Sequence, residues 1–231
     1  MKTIGMIGGM SWESSSIYYQ QINRAVQRRL GGVHSAKFLF YSFDFDEMAV
    51  LQNAGEWTRA NGIMADVAAG LEKGGADFLL IACNTMHSAT REIERATRIP
   101  LLHIADPLGA AINRAGLTRV ALLGSRFTME NDDIIRGRLK DRYDIAIVTP
   151  RGAAADEVSR VIYEELVRGE FRDSSRAHYR DVIAGLVAEG AQGVILGCTE
   201  LPLLVKSEDS SVPLFDTTAL HTLAAVEMAL G

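Results

Sequence analysis

The chain carries two cysteines, Cys83 and Cys198, and each sits where a short apolar run gives way to small polar residues. Phe78-Leu79-Leu80-Ile81-Ala82 leads into Cys83, and Asn84-Thr85-Met86-His87 follows it. Val194-Ile195-Leu196-Gly197 leads into Cys198, and Thr199-Glu200-Leu201-Pro202 follows. A thiol titrates at about pH 8.5 when unperturbed, so a modest shift leaves one sulfur as thiolate and another as thiol near neutrality. Placed on opposite sides of one carbon, such a pair can remove a proton from one face and return it to the other, which inverts the carbon. Backbone amides around Asn84, Thr85 and Thr199 could hold a carboxylate and take up the enolate-like charge that grows during Cα–H abstraction. Both following segments read as helix starts, with Thr199 able to cap and Pro202 suited to an early helical position. Each sulfur would then feel the positive end of a helix dipole.

Other chemistry is open to the same residues. Taken alone, either cysteine reads as a small buried apolar side chain. A Cys83–Cys198 disulfide would occlude a cleft between them. Cys83 and His87, four residues apart, could share zinc with Cys198, yet Cys198 has no equivalent histidine, and we expect no metal. His87 and His103 could tune a thiol or serve as hydrogen-bonded structural residues. Gly5-Met6-Ile7-Gly8-Gly9 lacks the second glycine of a dinucleotide fingerprint and reads instead as a tight strand-to-helix turn. No lysine stands in a convincing Schiff-base context, so no cofactor is expected.

The elements that must carry the cysteines repeat. Asp66 to Thr85 laid on Asp181 to Glu200, an offset of 115, matches at eight of twenty positions, the cysteines among them. Ile4 to Gly8 answers Val120 to Gly124, and Ile99-Pro100-Leu101-Leu102 answers Val212-Pro213-Leu214-Phe215. The order of these blocks indicates a tandem duplication. Short apolar runs at 3–7, 37–41, 78–82, 101–104, 120–123, 145–148, 194–196 and 214–215 alternate with amphipathic segments at 12–29, 57–72, 88–97, 156–168 and 175–188. That alternation predicts an α/β fold of two pseudo-symmetric Rossmann-like lobes, each a mainly parallel sheet flanked by helices. The expected lobes are 1–105 completed by 213–231, and 106–212. In open α/β sheets ligands bind beyond the carboxyl ends of the strands, where both cysteines fall.

Composition narrows the partners. The 231 residues are 48% apolar and 23% charged, with net charge −5, and contain no Lys/Arg-rich run, which argues against nucleic acid. No apolar run approaches the roughly 20 residues that span a bilayer. Without a signal-like segment at the start, and with two cysteines only, a cytoplasmic location is expected. Asp44, Asp46 and Glu47 read as a solvated acidic cluster, and Arg24, Arg28 and Arg29 as a basic helix face.

The paired Ala82-Cys83-Asn84-Thr85 and Gly197-Cys198-Thr199-Glu200 motifs, with the Gly8-Gly9-Met10-Ser11-Trp12 opening, resemble the cofactor-independent aspartate/glutamate racemase family over essentially the whole chain. Gly9 to Ser14, His103-Ile104-Ala105-Asp106 and Phe127-Thr128-Met129-Glu130 are similar to its aspartate racemase branch. The resemblance implies racemisation of an amino acid, aspartate or glutamate, with Cys83 and Cys198 as the two bases and a homodimeric assembly. It further implies substrate contacts from Met10, Ser11, Asn84, Thr85, Thr128 and Thr199. Such racemases hold the substrate's side-chain carboxylate with a basic residue after the second strand and another near position 167. Here residues 44–52 contain no Lys or Arg and position 167 is Val, so Gln52 and Arg168 are the nearest candidates. A relative using one nucleophilic cysteine for another isomerisation or a decarboxylation, and a non-catalytic amino-acid-binding module, are the alternatives.

Overall fold

The computed structural model describes residues 1–231 and divides them into two units, Met1–Ile104 with His221–Gly231, and Ala105–Leu220. The first unit runs β1 (Thr3–Gly8), α1 (Trp12–Leu30), β2 (Lys37–Ser42), α2 (Phe45–Asn53), α3 (Trp57–Lys73), β3 (Phe78–Ile81), a 3₁₀ turn (Thr85–Ala89), α4 (Thr90–Ala96) and β4 (Leu101–Leu102). Its four strands are parallel in the order β2-β1-β3-β4. Side chains alternate between the faces, as a pleated strand requires. Leu79 and Ile81 join Met64, Ala68 and Met86 on one side, while Phe78 and Leu80 join Ile4, Met6, Tyr18 and Ile22 on the other. All four β3 side chains are fully buried, and each contributes about 2 kcal/mol by leaving water.

The second unit runs α5 (Ala105–Arg114), β5 (Arg119–Gly124), α6 (Arg126–Glu130), a π-helical turn (Asp132–Arg136), α7 (Gly137–Tyr143), β6 (Ala146–Val148), α8 (Ala153–Glu164), a 3₁₀ turn (Leu166–Arg168), α9 (Asp173–Ala188), β7 (Val194–Gly197), α10 (Leu201–Leu204), a 3₁₀ turn (Ser207–Asp209) and β8 (Leu214–Asp216). Its parallel sheet has the order β6-β5-β7-β8, which is the order of the first sheet element for element. Helix α11 (Thr217–Leu230) begins in this unit and continues into the first, where Ala225, Val226 and Ala229 complete the core beside α1.

Three sequence expectations are corrected. The return to the first lobe was placed at 213, but Leu214, Phe215 and Asp216 pair with Val194, Ile195 and Leu196 of β7, so the return falls at His221. The helix expected over 88–97 is a 3₁₀ turn and then two turns of α4, and that over 156–168 ends at Glu164 before a separate 3₁₀ turn closed by left-handed Gly169.

Candidate active site

Each cysteine follows the third strand of its sheet. Cys83 comes two residues after β3 and Cys198 directly after β7, and both are free, half-buried thiols. The helices beyond them are shorter than the sequence suggests: a 3₁₀ turn follows Cys83, and the four-residue α10, with Pro202 in its first turn, follows Cys198. A macrodipole needs aligned peptides over several turns, so the expected dipole assistance gives way to individual backbone and side-chain contacts.

At the first sheet, the residues around Cys83 are fixed from behind by His87. Its Nδ1 lies 2.8 Å from the Cys83 carbonyl oxygen, which can only accept, and its Nε2 lies 3.2 Å from the Ile104 amide, which can only donate. The ring is therefore the neutral Nδ1–H form, a strut tying the turn after β3 to the end of β4. His87 also packs against His103 and His221, with ring centroids 4.6 and 5.7 Å away. His221 in turn donates from Nε2 to the Leu102 carbonyl at 2.9 Å and accepts at Nδ1 from the Tyr18 hydroxyl at 2.9 Å. Both His87 nitrogens are turned to backbone, which takes this ring out of the zinc set considered from spacing.

The glycine turn brings Met10 and Ser11 to the same edge. Gly9 has φ +87°, and a Cβ there would run into the backbone N and O of Phe43; one on Gly8 would meet Ser15 and Phe40. Only glycine permits both the left-handed backbone and this closeness. The Gly9 amide donates to Ser15 Oγ at 2.8 Å, and Ser11 caps α1 by accepting from the Ser14 amide at 3.3 Å. The Met10–Ser11 peptide is cis. Met10 itself is buried with Ile7, Phe43 and Met86 in a cluster against which Cys83 packs, so its side chain serves the core. Asn84 and Thr85 are buried beside Cys83. Gln52, on α2, is also buried and directs its amide nitrogen to Met86 Sδ at 3.1 Å, which places it beneath the turn that follows Cys83.

At the second sheet, Gly124 and Gly197 are paired across β5 and β7. A Cβ on Gly124 would meet Thr128 at 3.3 Å, and one on Gly197 would meet the Leu123 carbonyl at 3.0 Å. The missing side chains let Thr128 close down beside the residue preceding Cys198. Thr128 is buried, with its hydroxyl 3.1 Å from that of Ser125, the cap of α6. Cys198 Sγ donates to Glu200 Oε2 at 2.9 Å, and Thr199 and Glu200 are both buried. Behind them stands Tyr179 of α9, whose hydroxyl donates to the Val158 carbonyl at 2.8 Å. Burial, followed by the charges of Cys198, Glu157 and Glu165, pushes its phenol far up from the ordinary value, so it stays neutral.

Residues 7–225 match the Asp/Glu/hydantoin racemase family. The chain belongs to that family. A crystal structure of a candidate Asp/Glu racemase from Yersinia pestis is 47% identical, with a TM-score of 0.94 over 100% of both chains. An aspartate racemase homologue from Pyrococcus horikoshii OT3 is 32% identical, with a TM-score of 0.84, again over 100% of both. The broad specificity amino-acid racemase RacX of Bacillus subtilis (strain 168) is 22% identical over 99% of this chain and 98% of its own.

Within this racemase-family fold, the sequence residues gather in two sets. Met10, Ser11, Gln52, Asn84 and Thr85 lie with Cys83 in the first unit; Thr128 and Thr199 lie with Cys198 in the second. Arg168 is exposed on the 3₁₀ turn after α8. That turn is pinned by buried Glu165, which accepts from Ser175 Oγ at 2.5 Å and from Arg160 at 2.9 Å. Burial opposes the Glu165 charge, yet the Ser175 and Arg160 hydrogen bonds hold its carboxyl below the ordinary value. Sequence reading passed over Glu200, Tyr179 and Glu165. Only Glu200 carried a signal, a carboxylate two residues beyond a cysteine.

Proposed function

We propose that the chain is a cofactor-independent amino-acid racemase acting on aspartate or glutamate, with Cys83 and Cys198 as its two bases. The observation that carries this reading is the equivalence of the sulfurs: two free, half-buried thiols follow the third strand of two sheets with one strand order. Membership of the racemase family supports the reaction class. A thiolate removes the Cα proton and becomes a thiol, while the C–H electron pair moves into the substrate carboxylate to give an enolate-like dianion. The opposite thiol then delivers its proton to the other face and becomes the thiolate. One proton has passed to the first sulfur and one has left the second, and exchange with water resets the pair after release. The Glu200 carboxylate supports Cys198 as the protonated member at rest, because a negative neighbour that accepts the S–H favours thiol over thiolate.

Amides and hydroxyls of Ser11, Asn84, Thr85, Thr128 and Thr199 are the groups assigned to the substrate's common portion, where charge grows. For the side chain, Gln52 offers a neutral amide and Arg168 the nearest cation. With no Lys or Arg in residues 44–52, acceptance should extend past acidic amino acids, since sites discriminate most strongly where buried polar groups would be left unpaired.

The test is incubation of L-aspartate, L-glutamate and a panel of neutral L-amino acids in deuterated water. Deuterium at Cα together with appearance of the D enantiomer, both abolished by Cys83→Ser and by Cys198→Ser, is expected. Carbon dioxide release or a covalent adduct on one cysteine would point to one-cysteine chemistry instead. Tight amino-acid binding unchanged by both substitutions, with no label incorporated, would point to a binding module.

A further inference from the structure

The two sheets join their first helices differently. β5 ends at Gly124 and the next residue, Ser125, already caps α6, whereas β1 ends at Gly8 and the cap of α1 is Ser11. Gly9 and Met10 therefore form a two-residue step that the second unit does without. Since a sheet of the same strand order reaches its helix directly, the fold alone does not require the step.

One side chain fastens it. Ser15 Oγ accepts from the Gly9 amide at 2.8 Å and donates to the Ser11 carbonyl at 3.0 Å. A hydroxyl has a single proton to give, so one oxygen ties together the residues on either side of Met10. The bond to Ser11 is the ordinary back-bond of a helical serine to the carbonyl four residues earlier. The bond from Gly9 is not, because it reaches out of the helix into the step. Ser15 is 2% exposed, which keeps water from competing for either bond. Its room comes from Gly8, where a Cβ would collide with Ser15 Oγ.

The second unit shows what the helix start itself needs. Met129 stands four residues after Ser125, as Ser15 does after Ser11, and its amide donates to the cap carbonyl at 3.0 Å; the Ser15 amide makes the counterpart bond at 3.3 Å. Methionine has no hydroxyl, and α6 starts without one. The Ser15 hydroxyl therefore serves the step and not the helix. On the other side the step leans on Phe43, whose amide donates to the Gly8 carbonyl at 3.0 Å. Ser11 Oγ accepts from the Ser14 amide at 3.3 Å, which leaves its own proton to donate.

We propose that Ser15 is a positioning residue: it fixes Met10 and Ser11 where they meet the substrate's common portion and, being buried, touches no substrate itself. This rests on the racemase reading above, in which Ser11 offers its amide and hydroxyl to the substrate. A displaced Ser11 weakens that contact by one factor for every amino acid, because all of them share the portion it holds.

Steady-state assays of Ser15→Ala across several amino acids test this. KM is expected to rise about tenfold, the size of one hydrogen bond, by the same factor for each substrate and with a smaller change in kcat. Loss of folded protein would lower kcat and leave KM alone, and an unchanged KM would overturn the proposal. A rise confined to one class of side chain would overturn it too, since Ser15 would then act on side-chain recognition. Far-UV circular dichroism checks folding; should the alanine variant not fold, the hydroxyl serves the fold and the proposal falls. Amide hydrogen exchange reads the clamp without turnover: Gly9 should exchange at least tenfold faster in Ser15→Ala, with Ile4 to Ile7 unchanged, and equal Gly9 rates would count against the clamp. If the wild type racemises no amino acid, the racemase reading fails by itself. Gly9 exchange and the dissociation constants of L-aspartate and L-glutamate for the two proteins then decide Ser15 separately.

Discussion

Cys198 Sγ donates a hydrogen bond to Glu200 Oε2 at 2.9 Å, whereas the turn after Cys83 is built from Asn84, Thr85, Met86 and a neutral His87. The duplicated cysteines are therefore held differently: Cys198 shares its thiol proton with a carboxylate, whereas Cys83 has its own backbone carbonyl braced by imidazole.

Glu200→Gln should lower kcat by about tenfold or more, within the range that a positioned proton-transfer group contributes, and should shift the pH profile of kcat/KM. Mirror-image amino acids have equal free energy in water, so kcat/KM must remain equal in the two directions. The loss will differ between directions only in how it divides between kcat and KM, which steady-state assays from each pure enantiomer will resolve.

His87→Ala removes a buried ring and leaves the Ile104 amide without its acceptor. A cost of about 3 kcal/mol is expected in denaturant unfolding, with a fall in activity as the Cys83 carbonyl loses its brace. An unchanged unfolding midpoint would show that the histidine cluster does not hold this turn.

Gly9→Ala and Gly116→Ala separate backbone strain from collision. Both glycines have positive φ, +87° and +70°, but a Cβ on Gly116 meets open space while one on Gly9 strikes the Phe43 backbone. Gly116→Ala should cost about 1 kcal/mol, the price of a left-handed alanine, and leave activity intact. Gly9→Ala should cost at least about 3 kcal/mol and abolish activity, because the backbone around Met10 and Ser11 must move; matched thermal melts compare them.

Acid should loosen the corner around Glu165. Its folded carboxyl titrates below the ordinary value of 4.5, so the contribution is complete above pH 4.5 and drains away as pH falls through the lowered folded value. Ser175→Ala, which removes one of the hydrogen bonds responsible, should cost about 2 kcal/mol at neutral pH. It should also flatten the decline of melting temperature between neutrality and pH 3. Parallel pH-dependent melts of the two proteins would reveal an unchanged slope if the assignment were wrong.

The strands were legible because buried parallel strands read as unbroken apolar runs, and Phe78 to Ile81 or Val194 to Gly197 could hardly be anything else. The duplication was legible for the same reason: core positions repeat where surface positions drift. The placement of β8 was misread because Pro213-Leu214-Phe215 marks a strand without naming its neighbour; pairing with β7 is a long-range choice that local pattern does not contain. The break at Glu164 escaped because Leu166 continues the four-residue apolar spacing of Val158 and Ile162, while the turn is decided by Gly169 and by the burial of Glu165. Glu200 stayed hidden as a partner of Cys198, since a carboxylate two residues away meets the sulfur only once the turn at Cys198 to Leu201 has folded.

Helix α11 gives the first sheet a covering that the chain delivers last. Ala225, Val226 and Ala229 lie against Ile4, Met6, Phe78 and Leu80, and the Lys2 amide donates to the Ala229 carbonyl at 2.8 Å. A ribosome that has released only the opening hundred residues thus holds a sheet with one greasy face only half covered, by α1, and the nascent half must wait for the closing helix. Expressed as a fragment, 1–104 should aggregate, and a synthetic peptide of 217–231 supplied in trans should rescue it.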